Sequence, residues 1–373
     1  MCHSTFHHRP LQAPPIQRCQ QLFTAAYTGK LATLQQLFCQ GNPSYLKDDE
    51  DNTMLHHACL KGHGDVVQLL LQSGADIEAV NSTQNTPLHA ACGMGQYEIA
   101  RLLLAHGANV QARDNDGFTP LMLACNQEFD SDICQLLLDY GAEIEAKDKY
   151  GFSALNYACI RFNSKVAQSL VANGATLEAP NGDINLALRF AVKGLLSDNV
   201  RQLLAQGADP KASCYFGNTP LMLACQQGCM DLVDLFLQEG AELNRQNNNG
   251  CSALIKACRN GHTDVAIKLI EMGCSISLQD KYQQRAISLA ADMGLLPVVK
   301  ALLPQGAVIN HRDYFGFTPL LAACQKGHAD VARYLIEHGA DVTAKDEDGD
   351  DVLCYALNSH MDEIVSLIRS QIS

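Results

Sequence analysis

Apolar positions recur along this chain at one long interval. Leu22, Leu55, Leu88, Leu121, Leu155, Leu188, Leu221, Leu254, Ile287, Leu320 and Leu353 form eleven rungs 33 residues apart, with a single 34-residue step from Leu121 to Leu155. A fixed period of this size marks a stacked-repeat architecture. Within residues 86–117, TPLHAACGMGQYEIARLLLAHGANVQARDNDG, the pattern predicts two short helices and a turn. Thr86 is the expected N-cap and Pro87 the first helical residue, with Leu88, Ala91 and Cys92 facing inward. Gly95 ends that helix, Ile99, Leu102 and Leu103 form the buried face of the second, Gly107 stops it, and ARDNDG makes a projecting turn. No unit can bury such a face alone, so neighbours form each other's core.

The segments TPLHAA at 86–91, TPLMLA at 119–124 and 219–224 and TPLLAA at 318–323 resemble the ankyrin repeat. So do the GA pairs beginning at 74, 107, 141, 174, 207, 240, 306 and 339. The resemblance covers residues 19–373 and implies an all-α solenoid of paired antiparallel helices with projecting β-turn or hairpin loops. A single globular core of 373 residues would be unusual, whereas a solenoid adds core one repeat at a time, so one elongated domain is expected. Residues 1–18 read as a mobile tail, and Cys2, His3, His7 and His8 within it match no structural zinc spacing. The unit around Leu22 reads as an N-terminal cap. Asp362, Glu363 and Arg369 suit the dipole of a last helix whose outer side faces water, and the chain reads as complete at Ser373.

The centre, about 121–213, departs from the pattern. Glu128, Phe162 and Leu195 stand where Gly62, Gly95, Gly228, Gly261, Gly294 and Gly327 stand elsewhere. One residue is inserted near EFDSD at 128–132, and NLALRFA at 185–191 has lost its TP. These changes read either as drift or as a local change of curvature, in the form of a hinge or a shaped binding surface.

Net charge narrows the choice of partner. At −13, with no Lys/Arg run, the chain lacks the basic surface that nucleic acid demands. Of the 16 cysteines, Cys59, Cys92, Cys125, Cys159, Cys225, Cys258 and Cys324 each follow a rung by four residues. Equivalent positions in stacked helices lie roughly 8–10 Å apart, too far for a disulfide, so these thiols are expected to act as small core side chains in a reducing compartment. The first seventeen residues lack a signal-peptide apolar core, and no run of 18 apolar residues follows. A cytoplasmic, monomeric protein without membrane insertion is expected. The cytosol of another cell, reached by secretion, satisfies the same reading, and the chain would then be a translocated effector acting on host proteins.

No nucleophile–base pair, P-loop, HExxH or CxxC pairing occurs, so no enzyme activity, catalytic residue, metal or cofactor is assigned. HHACLKGH at 56–63 invites a metal site. All its histidines but His57 stand where ankyrin repeats commonly carry one, and the resemblance implies hydrogen bonding for them, as for His89, His262 and His328. The acidic stretches DDED at 48–51 and DEDGDD at 346–351 read as solvated turn tips. In the ankyrin family the turn tips and the exposed face of the first helix line the concave side and are free for a partner. Here they carry Phe118, Tyr150, Phe152, Tyr157, Arg161, Phe190, Tyr215, Phe216, Lys256, Arg259, Tyr282, Tyr314, Phe315 and Phe317. Eleven of the 23 Phe and Tyr residues thus fall at positions the scaffold does not require, and aromatics with arginine dominate protein interfaces. The first repeats offer Asp49, Glu50, Ser82 and Thr83 instead.

The reading is a non-enzymatic scaffold or adaptor that binds a protein segment on its concave face, across repeats four to ten. A rival class, a cysteine-dependent redox or metal-sensing protein, would rest on Cys214, Cys229, Cys251 and Cys274. Asn244 and Asn310 resemble the asparagine that is hydroxylated in some ankyrin proteins.

Overall fold

A computed structural model describes residues 16–39, 41, 44–127 and 132–372. Residues 1–15 of the tail, including Cys2, His3, His7 and His8, together with Glu128, most of the EFDSD insertion and Ser373, lie outside the described residues. Among the described residues there are 22 α-helices, two short 3-10 turns and no strand, arranged as a helical solenoid. They group into two compact units, one ending at Asn181 and one beginning at Gly182. No helix among them is long and apolar enough to cross a membrane.

Residues 86–117 follow the expected plan. Helices run over Pro87–Gly93 and Tyr97–Ala105, and the extended Thr86 accepts the His89 N–H. Two residues past the first helix, Gly95 turns the chain at φ +67°. The second helix buries Ile99, Ala100, Leu103 and Leu104, while Leu102, expected inward, is only half-buried. The small Ala100 admits the neighbouring helix closely and centres the buried stripe one position away from the expected one. Thr53, Thr119, Ser153, Asp183, Thr219, Ser252, Thr318 and Asp351 cap the other first helices in the same way. Arg285 holds this position over Ala286–Asp292 and offers no side-chain acceptor.

The rungs from Leu22 to Leu320 are fully buried, as are the seven rung-following cysteines, whereas Leu353 in the last pair is half-buried. Burial pushes the Cys274 thiol up to about 11 and Cys324 to about 12, and drives Cys59, Cys225 and Cys258 up as well. These groups stay protonated at neutral pH, and the thiolate is the reactive form. Cys125 and Cys134 approach within one repeat, Sγ to Sγ 3.5 Å, a contact that the spacing between repeats could not reveal.

Polar links tie several repeats to the next within each unit. The Thr53 N–H donates to His56 Nδ1 at 3.1 Å, and His56 Nε2 donates to the Asn85 carbonyl of the following hairpin at 2.9 Å. His89 repeats this geometry with Thr86 and Phe118. Burial pushes both imidazoles below their ordinary value, which keeps them neutral. Both ring nitrogens are therefore committed to the backbone. His63, His262 and His328 donate backwards, to the carbonyls of Tyr27, Gln226 and Asp292 at 3.0, 2.9 and 2.9 Å. Their rings cover Gly29, Gly228 and Gly294, where a Cβ would come within 2.6, 2.3 and 2.6 Å of Nδ1. In the divergent centre Phe162 and Leu195 keep the same left-handed turn, φ +59° and +53°. Within the second unit the residue one repeat beyond Leu195 is Cys229, which brings no ring.

Candidate functional site

Eight of the hairpin tips are built around one acidic or amide residue seven positions before the rung; the Tyr215–Phe216 tip has Cys214 there instead. Asp280 shows the device: its Oδ1 accepts the N–H groups of Tyr282 and Gln284, both at 2.9 Å. Asp48, Asn81, Asp114, Asp148, Asn247, Asp313 and Asp346 bracket their tips in the same way. The second carboxylate oxygen turns inward. It meets His57 from Asp48, the Tyr157 hydroxyl from Asp148, Arg259 from Asp280 and the Tyr355 hydroxyl from Asp346. Within the acidic runs Asp49, Glu50, Asp51, Glu347, Asp348 and Asp350 are exposed, while the bracket residues turn inward: Asp346 is buried and Asp48 half-buried, as Asp148, Asp280 and Asp313 are buried at their own tips. An aspartate in a turn looks exposed from sequence because its partners lie on other elements.

Successive tips are also joined backbone to backbone. In the first unit Ser82, Asn115 and Lys149 donate to Glu50, Thr83 and Asp116. In the second, Asn248, Lys281, Tyr314 and Glu347 donate to Phe216, Asn249, Tyr282 and Phe315. Asn244 and Asn310 add a further link, their Oδ1 atoms accepting the Ser275 and Asp341 N–H groups at 2.7 and 2.9 Å.

Taken unit by unit, the fourteen candidate residues separate into three groups. Tyr150, Tyr215, Phe216, Tyr282, Tyr314 and Phe315 are exposed at the tips, Tyr215 by 92% and Phe216 by 64%. Tyr215 and Phe216 meet edge to face at 5.5 Å, as do Tyr314 and Phe315 at 5.4 Å, while Tyr282 stacks on Phe315 at 6.1 Å. Lys149 and Lys281 stand over the rings of Tyr150 and Tyr282.

The second group is engaged within the protein and, Arg161 apart, half-buried. Phe118 and Phe152 pack on Tyr157 with centroids 4.9 and 5.7 Å away, and Phe317 packs on Tyr355 at 5.7 Å. Lys256 donates to Gln226 at 3.1 Å. Arg259 reaches the buried Asp280 and lies 3.2 Å from Cys251 Sγ, so it braces the fold where a partner contact was expected. Arg161 is exposed but bonded to Asn126 at 2.9 Å.

Phe190 forms the third group alone and corrects the sequence reading. It is only 4% exposed and lies in the core beside Leu188 and Ala191 on the ten-residue helix Ile184–Lys193. That helix starts at Asp183 without the TP entry and buries five residues; the position two after the rung is also buried at Leu223, Leu289 and Ala322, so it can take an apolar side chain into the core.

The site offers docking chemistry. Among the described residues no group of three or more His, Cys, Asp or Glu could hold a metal ion. Of the thiols off the core position, Cys251 and Cys274 are buried, and Cys214 and Cys229 are half-buried.

Two comparisons bear on the whole arrangement. A family model described as "Ankyrin repeats (3 copies)" matches residues 22–114, 110–181, 188–280 and 286–372. Among curated proteins, none matches the chain.

Proposed function

The chain belongs to the ankyrin-repeat proteins, whose repeats are protein–protein interaction modules, and from that premise we propose that it is a non-enzymatic adaptor gripping its partner through the aromatic hairpin tips. The observation that carries this reading is the exposure of Tyr215, Phe216, Tyr314 and Phe315 on tips whose backbone is already fixed by other groups. Exposed aromatic pairs contribute little to stacking the repeats, yet such side chains supply much of the energy at protein interfaces. The net charge of −13 supports a protein partner over a polyanion.

The test compares the native chain with a variant carrying Tyr215→Ala, Phe216→Ala, Tyr314→Ala and Phe315→Ala, both checked by circular dichroism and thermal melting. Loss of two or more hot-spot aromatics, each worth about 2 kcal/mol, should weaken capture of a cytosolic protein by roughly 100-fold or more. Proteins held equally by both chains, with both folded, would remove the tips from the binding surface.

A further inference from the structure

A cavity of about 190 Å³ lies in the second unit between the hairpin at Asp313 and the first helix before it. Gln284, Ser288, Asp292, Asp313, Phe315 and Phe317 line it together with Ala322 and Gln325. Among the described residues no Lys, Arg or His lines it.

The preceding repeat shows one way such a space is filled. There Arg259, five residues after its rung, donates to Asp280 at the next tip and approaches Gln284 Oε1 at 3.4 Å. One repeat later the register places Asp292 where Arg259 stood and Asp313 where Asp280 stood. Two carboxylates face the space and the internal cation is gone. In other repeats a residue two after the rung closes the tip carboxylate, as Tyr157 does for Asp148 and Tyr355 for Asp346. Here that residue is Ala322, and Asp313 Oδ2 receives only a long 3.3 Å bond from Gln284 Nε2.

An independent sign comes from Ser288, which is 4% exposed and whose Oγ has no hydrogen-bond partner. An unpartnered buried hydroxyl is costly unless something completes it. At the same position His56, His89 and Asn156 reach back to their N-cap N–H. Ser288 is too short for that and lines the cavity instead.

We propose that this cavity receives the arginine side chain of a protein partner, its guanidinium between Asp292 and Asp313, within reach of the Ser288 hydroxyl, and its stem against Phe315 and Phe317. The planar, multiply donating guanidinium suits two carboxylates beside aromatic faces. This rests on the aromatic tips being the docking surface, since Phe315 belongs to both.

The test uses fluorescent nine-residue peptide pools, random except for a central arginine, citrulline or leucine, titrated into the full chain by anisotropy. Citrulline keeps the shape of arginine and removes its charge. The arginine pool should bind at least ~10-fold tighter than the citrulline pool, and Asp292→Asn should abolish the difference. Ala322→Tyr should abolish it too, filling the cavity as Tyr157 and Tyr355 do in their own repeats and so preserving the fold. Equal binding of the arginine and citrulline pools to the native chain, or a preference that survives both substitutions, overturns the assignment. If those pools bind equally while the leucine pool loses affinity with Tyr215→Ala/Phe216→Ala, the cavity assignment fails and the wider reading stands. An arginine preference with no such leucine-pool dependence supports the cavity and removes Tyr215 and Phe216 from the docking surface.

Discussion

Gly228→Ala tests how strongly one repeat constrains the next. Gly228 sits at φ +69°, where an added Cβ costs about 1–2 kcal/mol from backbone conformation alone. That Cβ would also lie 2.3 Å from His262 Nδ1 and 2.7 Å from Cε1 and Cγ, so the ring must leave. Its 2.9 Å bond to the Gln226 carbonyl then goes, at about 1 kcal/mol. The substitution should destabilise the protein by about 2–3 kcal/mol in total. Gly261→Ala is the control: φ is +79°, but its Cβ would meet only Met293 Cε at 3.5 Å, an ordinary contact. It should cost only the backbone part. Urea unfolding in reductant, followed by far-ultraviolet circular dichroism, would measure both single variants, His262→Ala, and the Gly228→Ala/His262→Ala pair. The cycle should show coupling of about 1 kcal/mol, because without the ring the alanine meets no clash. Equal losses at Gly228 and Gly261, or an additive cycle, would refute the reasoning.

Two further outcomes follow from the tips. Cys214 occupies the bracket position in the Tyr215–Phe216 hairpin, whose backbone closes normally through Cys214 N–H to the Asn218 carbonyl at 3.0 Å. Cys214→Asp should supply the missing acceptor to the Phe216 and Asn218 N–H groups and stabilise by about 1 kcal/mol in thermal melts; no gain would count against the bracket. Asp346 is buried, which opposes its charge, but the Tyr355 hydroxyl and the N–H groups of Asp350, Asp348 and Gly349 outweigh this and hold it below the ordinary aspartate value. Its stabilisation is therefore complete above about pH 3.9 and fades as pH falls through the lower folded value. A carboxyl carbon-13 titration should place the Asp346 midpoint below about 3.9 and Tyr355→Phe should raise it; an ordinary midpoint, or no change in the variant, would exclude the bond.

The fold was legible because its determinants are local and recur: rung leucines, TP caps and rung-following cysteines each state their role within a few residues. The surface was less so. Arg259 looks like a free cation until Asp280, 21 residues onward, is folded against it. Tyr157 looks like an exposed aromatic until Phe118 and Asp148 meet it from different hairpins. Phe190 followed the register, but the position two after the rung can take an apolar side chain into the core, as Leu223 and Leu289 also show. Tyr215 and Phe216 could be read because tip residues with nothing opposite them stay exposed whatever their neighbours are.

The pairing of ring and glycine also limits how such an array can shorten. Each histidine that covers a glycine belongs to a unit with a glycine of its own: His63 with Gly62, His262 with Gly261, His328 with Gly327. A tandem copy of any of these units sets its ring over a glycine and stacks without collision. Unequal exchange that drops the unit carrying Gly228 would instead lay His262 on Leu195. Loss of a unit is therefore restricted wherever a histidine-bearing unit would come to follow one whose turn carries a side chain, whereas copying a histidine-bearing unit is not.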